Sequence, residues 1–84
     1  MAKSKPEKVF RIGFVSASVF AHELDSDDGP RTVRSVSLQK RYRDGDDVKY
    51  VSSFNLSELP QALRVLELAQ HYIESHEAEL NLTD

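Results

Sequence analysis

A basic segment without acidic residues occupies the middle of the chain, from Arg31 to Arg43. Its sequence, RTVRSVSLQKRYR, contains five Lys or Arg residues and no Asp or Glu. Lys and Arg side chains neutralise backbone phosphates, and an aromatic ring such as that of Tyr42 can stack on an unpaired base. The segment therefore predicts contact with single-stranded nucleic acid. The alternative interpretation is a strand whose charges are simply solvated.

Residues of the same chemical types lie before and after this segment. Serine hydroxyls can donate hydrogen bonds to phosphates or base edges without adding bulk. The candidate nucleic-acid-binding residues are Arg11, Ser18, Phe20, Arg34, Lys40, Arg41, Tyr42, Arg43, Lys49, Ser52 and Ser53, with Ser16 and Tyr50 as further residues of these types. Phe20 and Tyr42 are equally consistent with packing in a core or an interface. Strand parity does not decide for Tyr42, because Lys40 and Tyr42 share the parity of Val36 and Leu38.

Metal binding and catalysis find little support in the sequence. The chain has no cysteine, which excludes disulfides, thiolate metal sites and cysteine nucleophiles. Glu67 and His71 are one helical turn apart and His76 follows, but a zinc site needs three or four converging ligands. The acidic runs at 25–28 and 44–47 have turn composition and lack calcium-loop spacing. We predict no enzyme activity, no cofactor and no metal site.

Alternating apolar and polar residues predict antiparallel β-strands. The stretch from Lys8 to Glu23 is rich in Val, Phe and Ile, and Gly13 changes its parity, which predicts a bulge, a bend or two separate strands. The sequence LDSDDGP at 24–30 predicts a turn, followed by a strand over about 32–43. Asp44-Gly45-Asp46-Asp47 predicts a hairpin that leads into a returning strand at 48–55.

One amphipathic helix is predicted at the C-terminal end. Ser57 is the expected cap, Pro60 is tolerated in the first turn, and the helix is expected to fray after Glu77. One stripe consists of Leu59, Leu63, Leu66 and Ile73, with Ala62, Val65, Ala69 and Tyr72 beside it. This stripe is wide for one helix on a small sheet, so part of it is expected to face a second subunit.

These elements predict an α+β fold, in which a curved antiparallel β-meander of three to four strands precedes one C-terminal helix, in a homodimer. Residues 1–7 are predicted to be a disordered basic tail, 8–77 a single domain and 78–84 a flexible tail. The helix covers one face of the sheet. Since no second layer remains in the sequence, the candidate binding residues are expected on the other face.

Length and charge restrict the functional classes. An 84-residue chain fits one domain, and a domain of this size buries only about 60% of its unfolded surface, so dimerisation would add burial. The net charge is −3, but local charge on one face matters more for phosphate binding than the total. The sequence lacks an apolar run of about 20 residues and a signal peptide. We predict a cytoplasmic protein, nucleoid-associated if bacterial, without membrane contact.

Two stretches together point to a known family. They are Phe10-Arg11-Ile12-Gly13 with the following VSASVFAHE, and VSLQKRYRDGDDVKYVSSFNLSELPQAL. In order and spacing, over about residues 8–77, the chain resembles the transcriptional positive-cofactor-four coactivator family. The similarity is greatest to the small bacterial and phage members of that family.

The resemblance implies a homodimer of curved antiparallel sheets whose C-terminal helices pack across the two-fold axis. It also implies that single-stranded DNA lies along the sheet faces with little sequence preference. Tyr42 matches the family's stacking aromatic at the end of the basic strand, and Lys40 falls beside it. Ser52 and Ser53 match a position where the eukaryotic coactivators have basic residues, so charge is lost there.

The leading hypothesis is a single-stranded DNA-binding homodimer with little sequence specificity that acts in transcription, replication or repair. The first alternative is a protein–protein interaction module in which the basic strand recognises an acidic partner. The second is binding of single-stranded RNA on the same sheet face. Duplex binding is disfavoured, because Arg64 is the helix's only Lys or Arg.

Overall fold

The computed structural model describes residues 5–82, with the backbone alone for Ser26 and residues 77–82. An antiparallel sheet is followed by one C-terminal helix, which confirms the predicted α+β class. The elements are β1 (Lys8–Ile12), β2 (Val15–Ser26), β3 (Gly29–Asp44), β4 (Asp47–Val51), a 3-10 turn (Leu56–Glu58) and α1 (Leu59–Leu82).

The four strands form one sheet in the order β1-β2-β3-β4, and each neighbouring pair is antiparallel. Tight turns join β1 to β2 and β3 to β4. Gly13 has φ +61° and Gly45 has φ +64°, a left-handed conformation that glycine adopts without a steric cost. Gly13 therefore divides two strands rather than forming a bulge, and the predicted Asp44–Asp47 hairpin is confirmed.

The hairpin of β2 and β3 is longer than predicted. Its turn is confined to Asp27 and Asp28, and the pairing runs from Val15 with Lys40 to Ser26 with Gly29. The prediction of a turn over the whole of 24–30 is therefore wrong, since a two-residue loop already closes an antiparallel pair. In the sheet, β1 pairs with β2 only up to Val19 and β4 reaches only Lys40 of β3. Residues 20–35 consequently extend beyond both edge strands as a two-stranded arm.

The core lies between β2 and α1. Val15, Ala17 and Val19 of the strand are buried against Ala62, Val65 and Ala69 of the helix. Phe10, Ile12, Leu38, Phe54, Tyr72 and Ile73 pack around this centre. In the described part of the chain, α1 covers one sheet face and no element covers the other.

The helix boundaries differ from the predicted ones at both ends. The helical region begins at Leu56, and the N–H of Asn55 donates to Glu58 Oε1 at 2.8 Å. Asn55 and Glu58, rather than Ser57, therefore shape the start, with Pro60 in the first turn of α1 as predicted. At the other end α1 continues past Glu77 to Leu82.

The N-terminal boundary also shifts. Glu7 was expected in the disordered tail, but its N–H donates to the Val19 carbonyl at 2.6 Å. This bond extends the contact between the N-terminal segment and β2, so Glu7 belongs to the sheet edge. The remaining parts of the predicted tails, residues 1–4 and 83–84, lie outside the described residues. Among the described helices, none has the length and hydropathy needed to cross a membrane.

Candidate nucleic-acid interface

The strand register assigns every strand residue to one of two sheet faces, because directly opposed residues in antiparallel strands share a face. Val15, at the core, is opposite Ile12 and Lys40, whereas Ser16 is opposite Arg11 and Gln39. We call the face that carries Ser16 the open face. Its members are Val9, Arg11, Ser16, Ser18, Phe20, His22, Leu24, Arg31, Val33, Ser35, Ser37, Gln39, Arg41, Arg43, Val48 and Tyr50.

All of the Lys, Arg, Asp and Glu side chains described on the open face are positively charged. This face carries the four arginines Arg11, Arg31, Arg41 and Arg43 and no carboxylate. The acidic residues of the strands have the opposite parity and are Glu23, Asp25, Asp44 and Asp47. A chain with a net charge of −3 thus presents one face of uniform positive sign, which attracts polyanions despite the acidic total.

Hydroxyl groups and aromatic rings lie between these cations. Ser18 is opposite Ser37 and Phe20 is opposite Ser35, while Tyr50 stands opposite Arg41. The hydroxyls can donate to phosphates or base edges, and the rings offer stacking surfaces. Phe20 is half-buried and Tyr50 is exposed. The predicted residues Arg11, Ser18, Phe20, Arg41 and Arg43 are therefore brought together on one surface.

Three predicted cations lie on the helix side of the sheet, so their expected place on the uncovered face is wrong. Each is paired with a carboxylate, which leaves less of its charge for a ligand. The pairs are Arg34 Nε with Glu7 Oε1 at 2.8 Å, Lys40 Nζ with Glu58 Oε1 at 2.8 Å and Lys49 Nζ with Asp44 Oδ2 at 3.0 Å. The physical reason is that successive side chains of a strand point to opposite faces. Lys40 precedes Arg41 on β3, and Lys49 lies on β4 between Val48 and Tyr50, which are opposite Arg43 and Arg41.

These ion pairs affect the titration of two carboxylates. Hydrogen bonds from Lys40 and from the Asn55 N–H lower the pKa of Glu58 below its usual value. The Arg34 guanidinium, which donates to both carboxylate oxygens, likewise lowers the pKa of Glu7. Lys40 consequently links β3 to the 3-10 turn before α1, and Arg34 links β3 to the segment before β1.

Tyr42 also has the parity of the helix side, but β3 projects beyond the start of β2 at this point. A cavity of about 310 Å³ opens there, lined by Phe14, Lys40, Arg41, Tyr42, Arg43 and Glu58. A smaller cavity of about 170 Å³ shares most of this lining and adds Val48. We call the two together the Phe14 cleft. Its lining combines Phe14 with the sequence neighbours Lys40, Arg41, Tyr42 and Arg43, although these four alternate between faces.

Sequence reasoning overlooked Phe14, left Arg31 out of the candidate residues and named Tyr50 only as a further residue. The Phe14 ring follows Gly13 in a two-residue turn and is 66% exposed. A large aromatic side chain in so short a turn has little to pack against, and this was the available signal. Ser52 and Ser53 are exposed in the link between β4 and the 3-10 turn. They are in neither the open face nor the lining of the Phe14 cleft.

Within residues 5–82 the described His, Asp and Glu side chains form no group of three that could hold a metal ion. His71 Nδ1 lies 3.9 Å from Glu74 Oε1 on the exposed side of α1. Comparisons of the chain with family models, curated proteins and solved structures found no match.

Proposed function

We propose that this chain is a non-enzymatic, single-stranded DNA-binding protein that receives the strand on its open face with little sequence specificity. The observation that carries the proposal is the grouping of four arginines without a carboxylate on that face. The intervening serines and aromatic rings support it, because they suit bases that are not paired. A role in transcription, replication or repair is consistent with this activity.

Binding proceeds in two physical steps. The uniform positive field attracts the phosphate backbone, and Arg11, Arg41 and Arg43 then neutralise individual phosphates. Exposed bases stack on Phe20 and Tyr50, a contact that tolerates every base because each has a π-face. The open face is built from strands alone, so no helix projects from it to enter the major groove of a duplex.

The proposal is tested by fluorescence anisotropy with a labelled oligo-dT of about 20 nucleotides, titrated at several salt concentrations. We expect the logarithm of the affinity to fall with the logarithm of salt by about 0.7 per phosphate neutralised. An Arg41→Gln, Arg43→Gln double variant should reduce that slope by about 1.4. Lys49→Gln is the matched control, since Lys49 pairs with Asp44 on the other face, and should leave the slope unchanged.

The absence of oligo-dT binding at low salt would overturn the proposal. Single-stranded RNA and duplex DNA serve as competitors in the same titration. The open face contains no feature that selects against a 2′-hydroxyl, so RNA is expected to compete. RNA that displaces oligo-dT at a much lower concentration than unlabelled oligo-dT does would change the proposed ligand to RNA. Displacement by duplex DNA alone would contradict the stacking mechanism.

A homodimer is the second part of the proposal, supported by the exposed side of α1. Leu59, Leu63, Leu66 and Gln70 recur at intervals of four, three and four, the spacing of a coiled-coil seam. All three leucines are exposed, Leu63 by 64%. We propose that α1 of a second copy packs on this seam.

The same exposed leucines support one alternative function, a protein-interaction module whose partner is a different polypeptide. The two possibilities predict different behaviour of the isolated protein. A module of that kind would remain monomeric and would bind no oligo-dT. A dimer that binds oligo-dT would support the leading proposal.

A further inference from the structure

We propose that the Phe14 cleft holds one unpaired base of the bound strand, between the rings of Phe14 and Tyr42. This inference rests on the proposed function and adds to it a distinct site at one end of the sheet. The stacking residues of the open face are Phe20 and Tyr50, and neither of them lines the cleft.

The size of the cleft suits a single ring system. The larger cavity, about 310 Å³, is at the lower end of the roughly 300–1,000 Å³ typical of small-ligand pockets. Phe14 is 66% exposed and Tyr42 is 40% exposed. The aromatic contacts found in the described residues join Tyr72 to Phe10 and to His76. The faces of Phe14 and Tyr42 are not part of these contacts.

The charges of the cleft favour a ligand that combines a ring with an anion. Lys40 and Glu58 compensate each other through an ion pair with Nζ–Oε1 and Nζ–Oε2 distances of 2.8 and 3.0 Å. Arg41 and Arg43 remain as the cations that line both cavities. A nucleotide supplies both features, because its base can enter between the rings while the adjoining phosphate meets a guanidinium.

The position of the cleft also indicates a nucleic-acid strand as its occupant. Arg41 and Arg43 belong to the open face and to the cleft lining at once. A strand that follows the arginines of the open face therefore reaches the cleft without leaving the cationic surface. An acidic peptide with an aromatic side chain has related chemistry, and the experiment below distinguishes it.

The walls of the cleft are held before any ligand arrives. The carbonyl of Phe14 accepts a hydrogen bond from the Arg41 N–H at 2.8 Å, which fixes the turn against β3. The Lys40–Glu58 pair attaches the same part of β3 to the start of the helical region. Such preorganisation lowers the entropy that binding would otherwise lose.

The test uses a labelled oligonucleotide of about 10 abasic residues with one central 2-aminopurine, a length within the usual site size. Its fluorescence falls when the base stacks on an aromatic ring. The measurement uses a Phe20→Leu, Tyr50→Leu background, which removes the stacking rings of the open face. We expect this protein to quench the fluorescence, and the further change Phe14→Leu or Tyr42→Leu to remove the quenching. Phe14→Tyr, which keeps a ring, should restore it. His71→Leu, which removes an exposed ring of α1 outside the open face and the cleft, is the matched control and should retain it.

The affinity for oligo-dT should fall about 5- to 150-fold in Phe14→Leu, the range expected for one lost stacking partner. Circular dichroism checks that the variant is folded, and the high exposure of Phe14 makes a loss of core packing small.

Quenching that survives in Phe14→Leu, with oligo-dT binding intact, would overturn the cleft and leave the proposed function standing. Failure of the wild-type protein to bind oligo-dT would overturn both. Binding of a labelled Asp- and Phe-containing peptide without quenching of 2-aminopurine would assign the cleft to a protein partner.

Discussion

At the scale of single residues, Glu7 and Glu58 connect segments that are distant in sequence. Glu58 joins the start of the helical region to Lys40, 18 positions away, and Glu7 joins the N-terminal edge to Arg34, 27 positions away. Both carboxylates accept two hydrogen bonds from their cation. Charge-assisted contacts of this kind fix geometry more effectively than single surface pairs.

The two carboxylates make the folded state sensitive to acid. Their pKa values are lowered in the folded protein, from an ordinary value of 4.5, by Arg34 and by Lys40 with Asn55. The unfolded chain therefore binds protons at a higher pH than the folded chain does. The stability that these contacts contribute is fully present above about pH 4.5 and is lost as the pH falls through the folded pKa values.

Urea unfolding at pH 7 and at about pH 3 measures this effect. The wild-type midpoint should fall between the two pH values by more than that of a Glu7→Gln, Glu58→Gln variant, whose amides do not titrate. Glutamine keeps the shape of each side chain and an oxygen acceptor, which makes the variant a close comparison. An equal fall in both proteins would mean that other carboxylates cause the acid sensitivity.

At the scale of the elements, the sequence predicted the presence and order of the strands and the helix, but not all of their ends and not the division of the binding residues between the two faces. Alternation in β2 and the DG turn after β3 are local signals, and both elements were predicted from them. Lys40, Arg41, Tyr42 and Arg43 are consecutive, so half of them must point to each face. Lys40 and Tyr42 share the parity of Val36 and Leu38, but the sequence alone did not decide which face they take. What remained unpredictable was contact across the fold, because neither the Lys40–Glu58 pair nor the position of Phe14 against β3 follows from local sequence.

The two-stranded arm, residues 20–35, is the element with the weakest support in a single chain. It extends beyond β1 and β4, and α1 covers the sheet at residues before it. A two-stranded hairpin alone is marginally stable in water. We therefore expect amide hydrogens that bond across residues 20–35 to exchange faster than those bonding between 15–19 and 36–40.

Hydrogen exchange followed by NMR resolves the two groups of amides within one experiment. The pairs Val15–Lys40 to Val19–Val36 are the internal reference, because they belong to the same two strands. Equal protection along the whole hairpin would contradict the expectation and would indicate that the arm is covered by another molecule. Repetition with oligo-dT present reports whether ligand on the open face extends protection into the arm.

At the scale of the whole molecule, the arginines of the open face and the exposed leucines of α1 lie on different sides. The open face carries the arginines, while Leu59, Leu63 and Leu66 belong to α1, which covers the opposite sheet face. A second copy that packs on the leucine seam therefore leaves both open faces accessible. Dimerisation would double the cationic surface and couple two strand-binding sites through one rigid interface, so a long strand would gain affinity from occupying both.

The last prediction concerns the leucine seam and distinguishes a loss of dimerisation from a loss of folding stability. Leu63→Glu places a charge on a side chain that is 64% exposed, so the single-chain fold is retained, but the charge would be desolvated in a helix–helix contact. We expect the wild-type protein to elute as a dimer and Leu63→Glu as a folded monomer in size-exclusion chromatography with light scattering.

Val65→Ala is the comparison. It truncates a fully buried side chain and should reduce stability by about 2 kcal/mol at every protein concentration. The midpoint of wild-type unfolding should instead rise with concentration, since only the folded chain associates. A wild-type monomer with a concentration-independent midpoint would exclude the seam as a self-association surface and would leave the exposed leucines to a different protein partner.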